Sequence, residues 1–183
     1  MNPTHIGVGI AIATPMLVVA PEFAVVAAFG GMAGGLFPDL DLFVGSHRKS
    51  LHFPVYYWLP AIAASFATAL FPISVTVFTV FFFVSAAIHS GMDWFGAGHE
   101  PRPWQRRSNQ AVYLHPRKRW LEPRYVIRYD GAPEDVAIAV GLLVPGAFLF
   151  GSPVSEPAIA TATIAVLYGV FRKRLPDSIA DRV

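Results

Sequence analysis

The sequence predicts an all-α polytopic membrane protein of about six transmembrane helices, with a cytoplasmic loop that folds back as a short β-hairpin. Three observations predict it: a shortage of charge, a series of apolar segments, and the placement of every Lys and Arg. Of 183 residues, 54% are hydrophobic and only 14% charged, against roughly 25% charged in a typical soluble domain. That deficit points to a bilayer rather than to a larger soluble core, and the length fits a single membrane domain over 1–183. The absence of cysteine excludes disulfides and thiolate metal sites, leaving His, Asp and Glu as candidate ligands.

The apolar segments run 5–20, 22–37, 55–71, 73–93, 133–150 and 156–171. A spanning helix needs about 20 apolar residues, with a range of roughly 17–25. The segments 55–71 and 73–93 meet that length, and the others are short. Pro21 interrupts the run from Ile6 to Phe37, because proline cannot continue a helix without losing a backbone hydrogen bond. Pro21 and Glu22 read as a tight turn between two short helices, with a re-entrant hairpin as the competing reading. In the "GGMAGG" stretch, Gly30 and Gly34, like Gly31 and Gly35, stand four apart, a spacing that lets helices approach closely in lipid.

With the N-terminus in the cytoplasm and the segments alternating, the cytoplasmic parts are 38–54, 94–132 and the tail after Phe171. Every Lys and Arg falls there: Arg48 and Lys49, then Arg102 to Arg128, then Arg172, Lys173, Arg174 and Arg182. The opposite turns carry Glu22 and Glu156 and no basic residue. That is the positive-inside pattern, and it predicts a protein integral to the plasma membrane with both termini cytoplasmic. It also accounts for the basic balance of the chain, so no nucleic-acid partner is expected; membrane lipid is. The opening "MNPTHIG" lacks the basic n-region of a cleaved signal peptide.

The charged residues of "GLFPDLDLFVGSHRKSLHFP" (Gly35 to Pro54) then stand out. Placing charge beside apolar segments is costly, and ionisable residues near a membrane point to function when a partner can be named. Here the partners are each other. His5 starts the first helix, Asp39 and Asp41 follow the second, His47 and His52 lead into the third, and His89 and Asp93 end the fourth. The spacing of four in "HSGMD" puts His89 and Asp93 on one helix face. Residues from four helix ends thus reach one membrane depth on one side, a donor set suited to a borderline or hard divalent ion. His47 and His52, five apart, would lie about 140° from each other on a continuous helix, so they share an ion only if the chain between them is a loop. The seven candidate ligands exceed the four of a tetrahedral zinc site, so either some support the ligands or two ions lie about 3.5–4 Å apart. Zn or Mn, one or two ions, is the expected cofactor. Arg48 beside His47 is placed to clamp an anionic oxygen, and Asp41 is the candidate general base. EF-hand and HExxH spacings are both absent.

The 94–132 loop is too long for a simple connector. "AVYLH" and "RYVIRYDG" have strand-type composition and flank the basic, turn-like "PRKRWLEP", which predicts a hairpin over the cytoplasmic face. Its Trp and Arg residues suit the headgroup layer and anionic lipid. His99 reads as structural, while His115 and Asp130 are further candidates for the site.

The set "PDLD", "HRKSLH" and "HSGMD", with an early His, resembles the YdjM family of membrane-bound metal-dependent hydrolases. His5, Asp39, Asp41, His47, Arg48, His52, His89 and Asp93 stand at that family's motif positions, all within residues 1–95. The family's Gly and Thr in its HRGxTH segment are Lys49 and Leu51 here, a changed turn next to the ligand-type residues. The resemblance implies metal binding and a hydrolytic reaction. Taken together, the expected function is a metal-dependent hydrolase acting on a phosphoester or lipid-linked substrate at the cytoplasmic face. The alternatives are a divalent-metal transporter or sensor, and a non-catalytic membrane scaffold.

Overall fold

The computed structural model describes residues 1–175; Arg182 of the basic tail lies outside the described residues. Seven helices and one hairpin make up the described chain: α1 (Asn2–Ala13), α2 (Met16–Val19), α3 (Pro21–Leu36), α4 (Trp58–Leu70), α5 (Ser74–Met92), β1 (Val112–Leu114), β2 (Arg119–Leu121), α6 (Pro133–Phe150) and α7 (Ser155–Phe171). The turn expected at Pro21 is made by Ala20, whose backbone leaves the helical region, and Pro21 is the first residue of α3. Proline suits that place because its missing N–H would be unpaired there in any case. A 3₁₀ segment, Phe37–Leu42, extends α3 and carries Asp39 and Asp41.

Among the described residues, four stretches are long and apolar enough to cross a membrane: Asn2–Val19, Pro21–Leu42, Ser74–Phe95 and Pro133–Phe150. The other two expected spans form helices of 13 residues (α4) and 17 residues (α7). α4 starts at Trp58, three residues later than the apolar run, because residues 54–57 are still in turns. The surface supports the membrane reading. Buried positions of the main core are mostly alanine, including Ala27, Ala28, Ala139, Ala158 and Ala165. Large apolar side chains such as Phe66, Leu70, Val75 and Phe148 point outward and are two-thirds or more exposed. A soluble monomer rarely exposes so much contiguous apolar surface, whereas small residues between helices and large ones outside suit packing in lipid.

The glycine pairs set the spacing at the centre of the bundle, where α3 lies between α1 and α5. Gly30 and Gly34 face the backbone carbonyls of Phe78 and Phe82 on α5, while Gly31 and Gly35 face those of Gly9 and His5 on α1. A methyl group at any of these four would collide with backbone, so only glycine allows the approach. α1 also packs on α6, which pairs with α7, and α4 packs on α5.

The hairpin exists, with its second strand in a different place from the one expected. β2 is formed by Arg119–Leu121 out of the supposed turn, paired so that Val112 faces Leu121 and Leu114 faces Arg119. Lys118, with φ +49°, closes a tight connection immediately after His115–Arg117, and Pro123 ends the ladder two residues beyond Leu121 because it has no N–H to give. "RYVIRYDG" instead runs along the end of α5, where the N–H groups of Arg124, Val126 and Ile127 donate to the carbonyls of Trp94 and Phe95. The hairpin is tied to the loop before α4 by the Tyr113 N–H, which donates to the Arg48 carbonyl at 3.0 Å.

Candidate metal centre

Since α1, α4 and α6 start where α3, α5 and α7 end, one end of the bundle gathers the ionisable residues. Buried there are His5, Asp39, Asp41, Arg48, His52, His89, Asp93, Asp135 and Arg172. The chain from His47 to Tyr57 is a loop, so His47 and His52 turn toward the same region, their rings 5.4 Å apart.

Four of the sequence-derived candidates converge: Asp39, His52, His89 and Asp93, all buried, offer one ligand atom each within 4.8 Å of one another. The four His–Asp edges, of the six in that group, are His52 Nε2 to Asp93 Oδ2 at 2.9 Å, His89 Nε2 to Asp39 Oδ1 at 3.3 Å, His52 Nε2 to Asp39 Oδ1 at 3.4 Å and His89 Nε2 to Asp93 Oδ2 at 3.7 Å. A tetrahedral ion with ligand bonds of 2.0–2.1 Å has donor–donor edges of about 3.3–3.4 Å, and the measured edges scatter around that value. The atoms face one another without bonding one another. His52 Nε2, His89 Nε2 and Asp93 Oδ2 are buried and have no aligned hydrogen-bond partner among the described residues, although buried polar atoms are nearly always paired. The 2.9 Å separation between His52 and Asp93 is therefore a proximity, not a hydrogen bond, and the donor set fits a divalent cation.

The remaining nitrogen of each histidine is engaged. His89 Nδ1 donates to the Gly35 carbonyl at 2.7 Å, which leaves Nε2 with its lone pair toward the centre. His52 Nδ1 donates to Asp41 Oδ2 at 2.9 Å, the carboxylate–histidine arrangement common behind metal-binding imidazoles. Burial opposes charge on His52, but the carboxylates of Asp39, Asp41 and Asp93 outweigh it and raise its pKa well above the usual value. Three carboxylates about one imidazole are met by positive charge between them, a proton on His52 or a cation in its place.

The other candidates sit behind these four. Asp41 Oδ1 accepts from His47 Nδ1 at 2.8 Å, and its Oδ2 accepts from the Leu51 N–H at 3.2 Å as well as from His52. Asp41, His47 and His52 form a second group of possible ligands, but one whose atoms hydrogen-bond each other. His5 Nε2 lies 3.2 Å from Asp93 Oδ1, and its ring stacks on His89 at 3.8 Å. Gly35 is the reason for this stacking: it lets the α1 backbone at His5 approach α3, and its own carbonyl holds His89. Arg48 adopts φ +59°, and its Nη1 donates to the carbonyls of Ala97 and Ala111 at 2.5 and 3.3 Å. Its Nε comes within 3.9 Å of Asp93 Oδ2. His99 packs against His47 at 4.9 Å, whereas His115 packs against Phe53 at 4.5 Å and belongs to neither group of possible ligands.

A cavity of about 120 Å³ opens beside the donors, lined in part by His5, Asp39, Arg48, Asp93, Asp130 and Arg172. Arg172 was legible in the sequence only as one of three consecutive basic residues after Phe171. In the structure it is 2% exposed. Nothing in its sequence neighbourhood marks it apart from Lys173 and Arg174.

No protein-family model matches the chain, and no curated protein or solved structure matches it either.

Proposed function

We propose that the protein is a membrane-bound metal-dependent hydrolase acting on a phosphoester or lipid-linked substrate at the cytoplasmic face, as the motif resemblance to the YdjM family implies. The observation that carries the reading is the set of four buried donor atoms, spaced as the edges of a coordination tetrahedron and bordering a cavity. In this reading one divalent ion, Zn or Mn, is held by Asp39, His52, His89 and Asp93. Such an ion supplies Lewis acidity and a nucleophile from water near neutral pH. The chain supplies the rest. Asp41 holds the His52 ring and its tautomer, with His47 holding Asp41 in turn. His5 steadies Asp93 from behind. Arg48 borders the cavity with a buried Nε that makes no hydrogen bond among the described residues, positioned for an anionic oxygen. Asp41 suits an orienting role better than that of a general base, because both its oxygens already accept hydrogen bonds. A transport path receives less support. Among the described residues the buried charged groups gather at one end of the bundle, with none spaced along the spans.

The test is turnover by purified protein in detergent, loaded with Zn²⁺ or Mn²⁺, against a panel of phosphomonoesters, phosphodiesters and phospholipids. Hydrolysis that needs the metal, and that disappears with a chelator and in Asp93→Ala, is the expected result. Metal-loaded protein inert toward the whole panel would remove the hydrolase reading.

The orientation belongs to the same proposal, with six spans and both termini cytoplasmic, following the distribution of basic residues. With no native cysteine, an impermeant thiol reagent on sealed cells should label Glu156→Cys and spare Ser46→Cys. The reverse pattern would invert the topology.

A further inference from the structure

Arg172 is a charged side chain with no place in the donor set, yet it is almost wholly buried and lines the cavity beside that set. Its guanidinium grips Asp130 on one edge, with Nε to Oδ2 at 2.9 Å and Nη2 to Oδ1 at 3.3 Å. Tyr168 donates its hydroxyl to the same Oδ2, so the carboxylate is fixed and the arginine with it. The other edge is left over: Nη1 is buried and has no partner among the described residues. Arg48, on the loop before α4, lines the same cavity, and its buried Nε lies 3.9 Å from Asp93 Oδ2 but makes no hydrogen bond among the described residues. Two guanidiniums from opposite ends of the chain thus leave N–H groups unpaired in one small space next to the candidate metal centre. Leaving a buried donor unpaired is costly, and a guanidinium N–H is met best by a carboxylate or phosphate oxygen.

The charges narrow the choice of ligand. The cavity lining includes the carboxylates of Asp39, Asp93, Glu100 and Asp130 against two guanidiniums and the Met1 terminal amine. Without a metal ion negative charge is still in excess and repels an anion. With a divalent ion at the donors the balance turns positive, and an oxyanion that also reaches the ion becomes favourable. We propose that Arg172, together with Arg48, binds the phosphoryl group of the substrate, with affinity that depends on the metal. This rests on the metal-centre reading above and adds to it a receptor for phosphate built largely by the end of α7. A soluble phosphate ester and a lipid phosphomonoester present the same group. The lipid source is within reach, because an apolar groove lined by Ile6, Leu36 and Ile164 shares Met1 and Asn2 with the cavity.

The experiment is calorimetric titration of purified protein in detergent, first with Zn²⁺ or Mn²⁺, then with inorganic phosphate, then separately with phosphatidic acid in the same micelles. Wild type, Arg172→Gln and Arg172→Lys are compared. The expected result is unchanged metal stoichiometry in all three, and phosphate binding to metal-loaded wild type but not to metal-free protein. Phosphate should bind roughly 10–100-fold more weakly to Arg172→Gln, the loss of one charged hydrogen bond, with Arg172→Lys in between because it keeps the charge and loses the fork. If Arg172→Gln fails to fold, Arg172→Lys, which can still pair with Asp130, decides. Tighter binding of phosphatidic acid than of phosphate assigns the source to lipid, and the reverse order assigns it to a soluble ester; either supports the receptor. Metal-loaded wild type that binds neither ligand, or variants that bind phosphate as tightly as wild type, would overturn the inference and leave the metal centre standing. Failure of wild type to bind metal is a different result, and it removes the metal centre itself.

Discussion

Two histidine–carboxylate groups meet at His52, and they are built differently. On the Nε2 side, Asp39, His89 and Asp93 bring donor atoms to 2.9–3.7 Å edges, and His52 Nε2, His89 Nε2 and Asp93 Oδ2 have no aligned hydrogen-bond partner among the described residues. On the Nδ1 side, Asp41 takes hydrogen bonds from His52, His47 and the Leu51 amide, all at 2.8–3.2 Å. The same residue types at similar distances are thus frustrated in one group and satisfied in the other. Distance alone does not separate a ligand set from a hydrogen-bonded network. Lone-pair direction does, because each satisfied contact has a hydrogen between its atoms, whereas the convergent lone pairs have nothing between them but a shared point.

That contrast ranks the expected effects of substitution. His52→Ala removes the residue common to both groups and should abolish metal binding altogether, as measured by equilibrium dialysis. Asp41→Asn belongs only to the satisfied side. It should keep the metal and weaken its binding about 10–100-fold, the usual effect of disturbing a ligand's supporting partner. Equal losses in the two variants would erase the distinction. Gly35→Ala places a methyl group against the His5 backbone, and should cost roughly 1–3 kcal/mol by overpacking while loosening His89 through the Gly35 carbonyl. Gly141→Ala, with nothing within 4 Å of its new methyl, should leave thermal stability and metal affinity unchanged. Among the substitutions that reach the metal through hydrogen bonds the mildest is His47→Ala, which acts through Asp41 and then His52 and should weaken metal binding by less than Asp41→Asn does. A loss as complete as that of His52→Ala would place His47 among the ligands.

Much of this was legible in the sequence, and the reasons differ by element. Helix positions followed from apolar runs bounded by proline, as at α6, which starts at Pro133 as expected. The gathering of His5, Asp39, His52, His89 and Asp93 at one end followed from alternating the helices, because every one of these residues stands near a helix end. What spacing did not carry was the direction of each ring. Whether His47 or His52 presents a nitrogen to the centre depends on a loop whose course includes a positive φ at Arg48, and Asp39 and Asp41 diverge within a single 3₁₀ segment. The second strand of the hairpin was misplaced because Arg119–Leu121 pairs by contact with β1, against the polar and basic composition around it. Arg172 was invisible for a similar reason: a basic residue after a membrane helix reads as a topology signal, and its burial depends on Asp130, far away in sequence, whose carboxylate is also held by Tyr168 one turn before Arg172.

The central claim is that Asp39, His52, His89 and Asp93 form a divalent-metal centre. The most direct measurement is elemental analysis of the purified protein in detergent, wild type beside His89→Ala. His89 is the ligand whose second nitrogen is held only by a backbone carbonyl, so its removal disturbs the satisfied group least. The account predicts about one divalent ion per chain in wild type, by the four-ligand limit of a tetrahedral site, and none in the variant. Wild-type protein that retains no divalent metal, or a variant that retains it undiminished, would contradict the account.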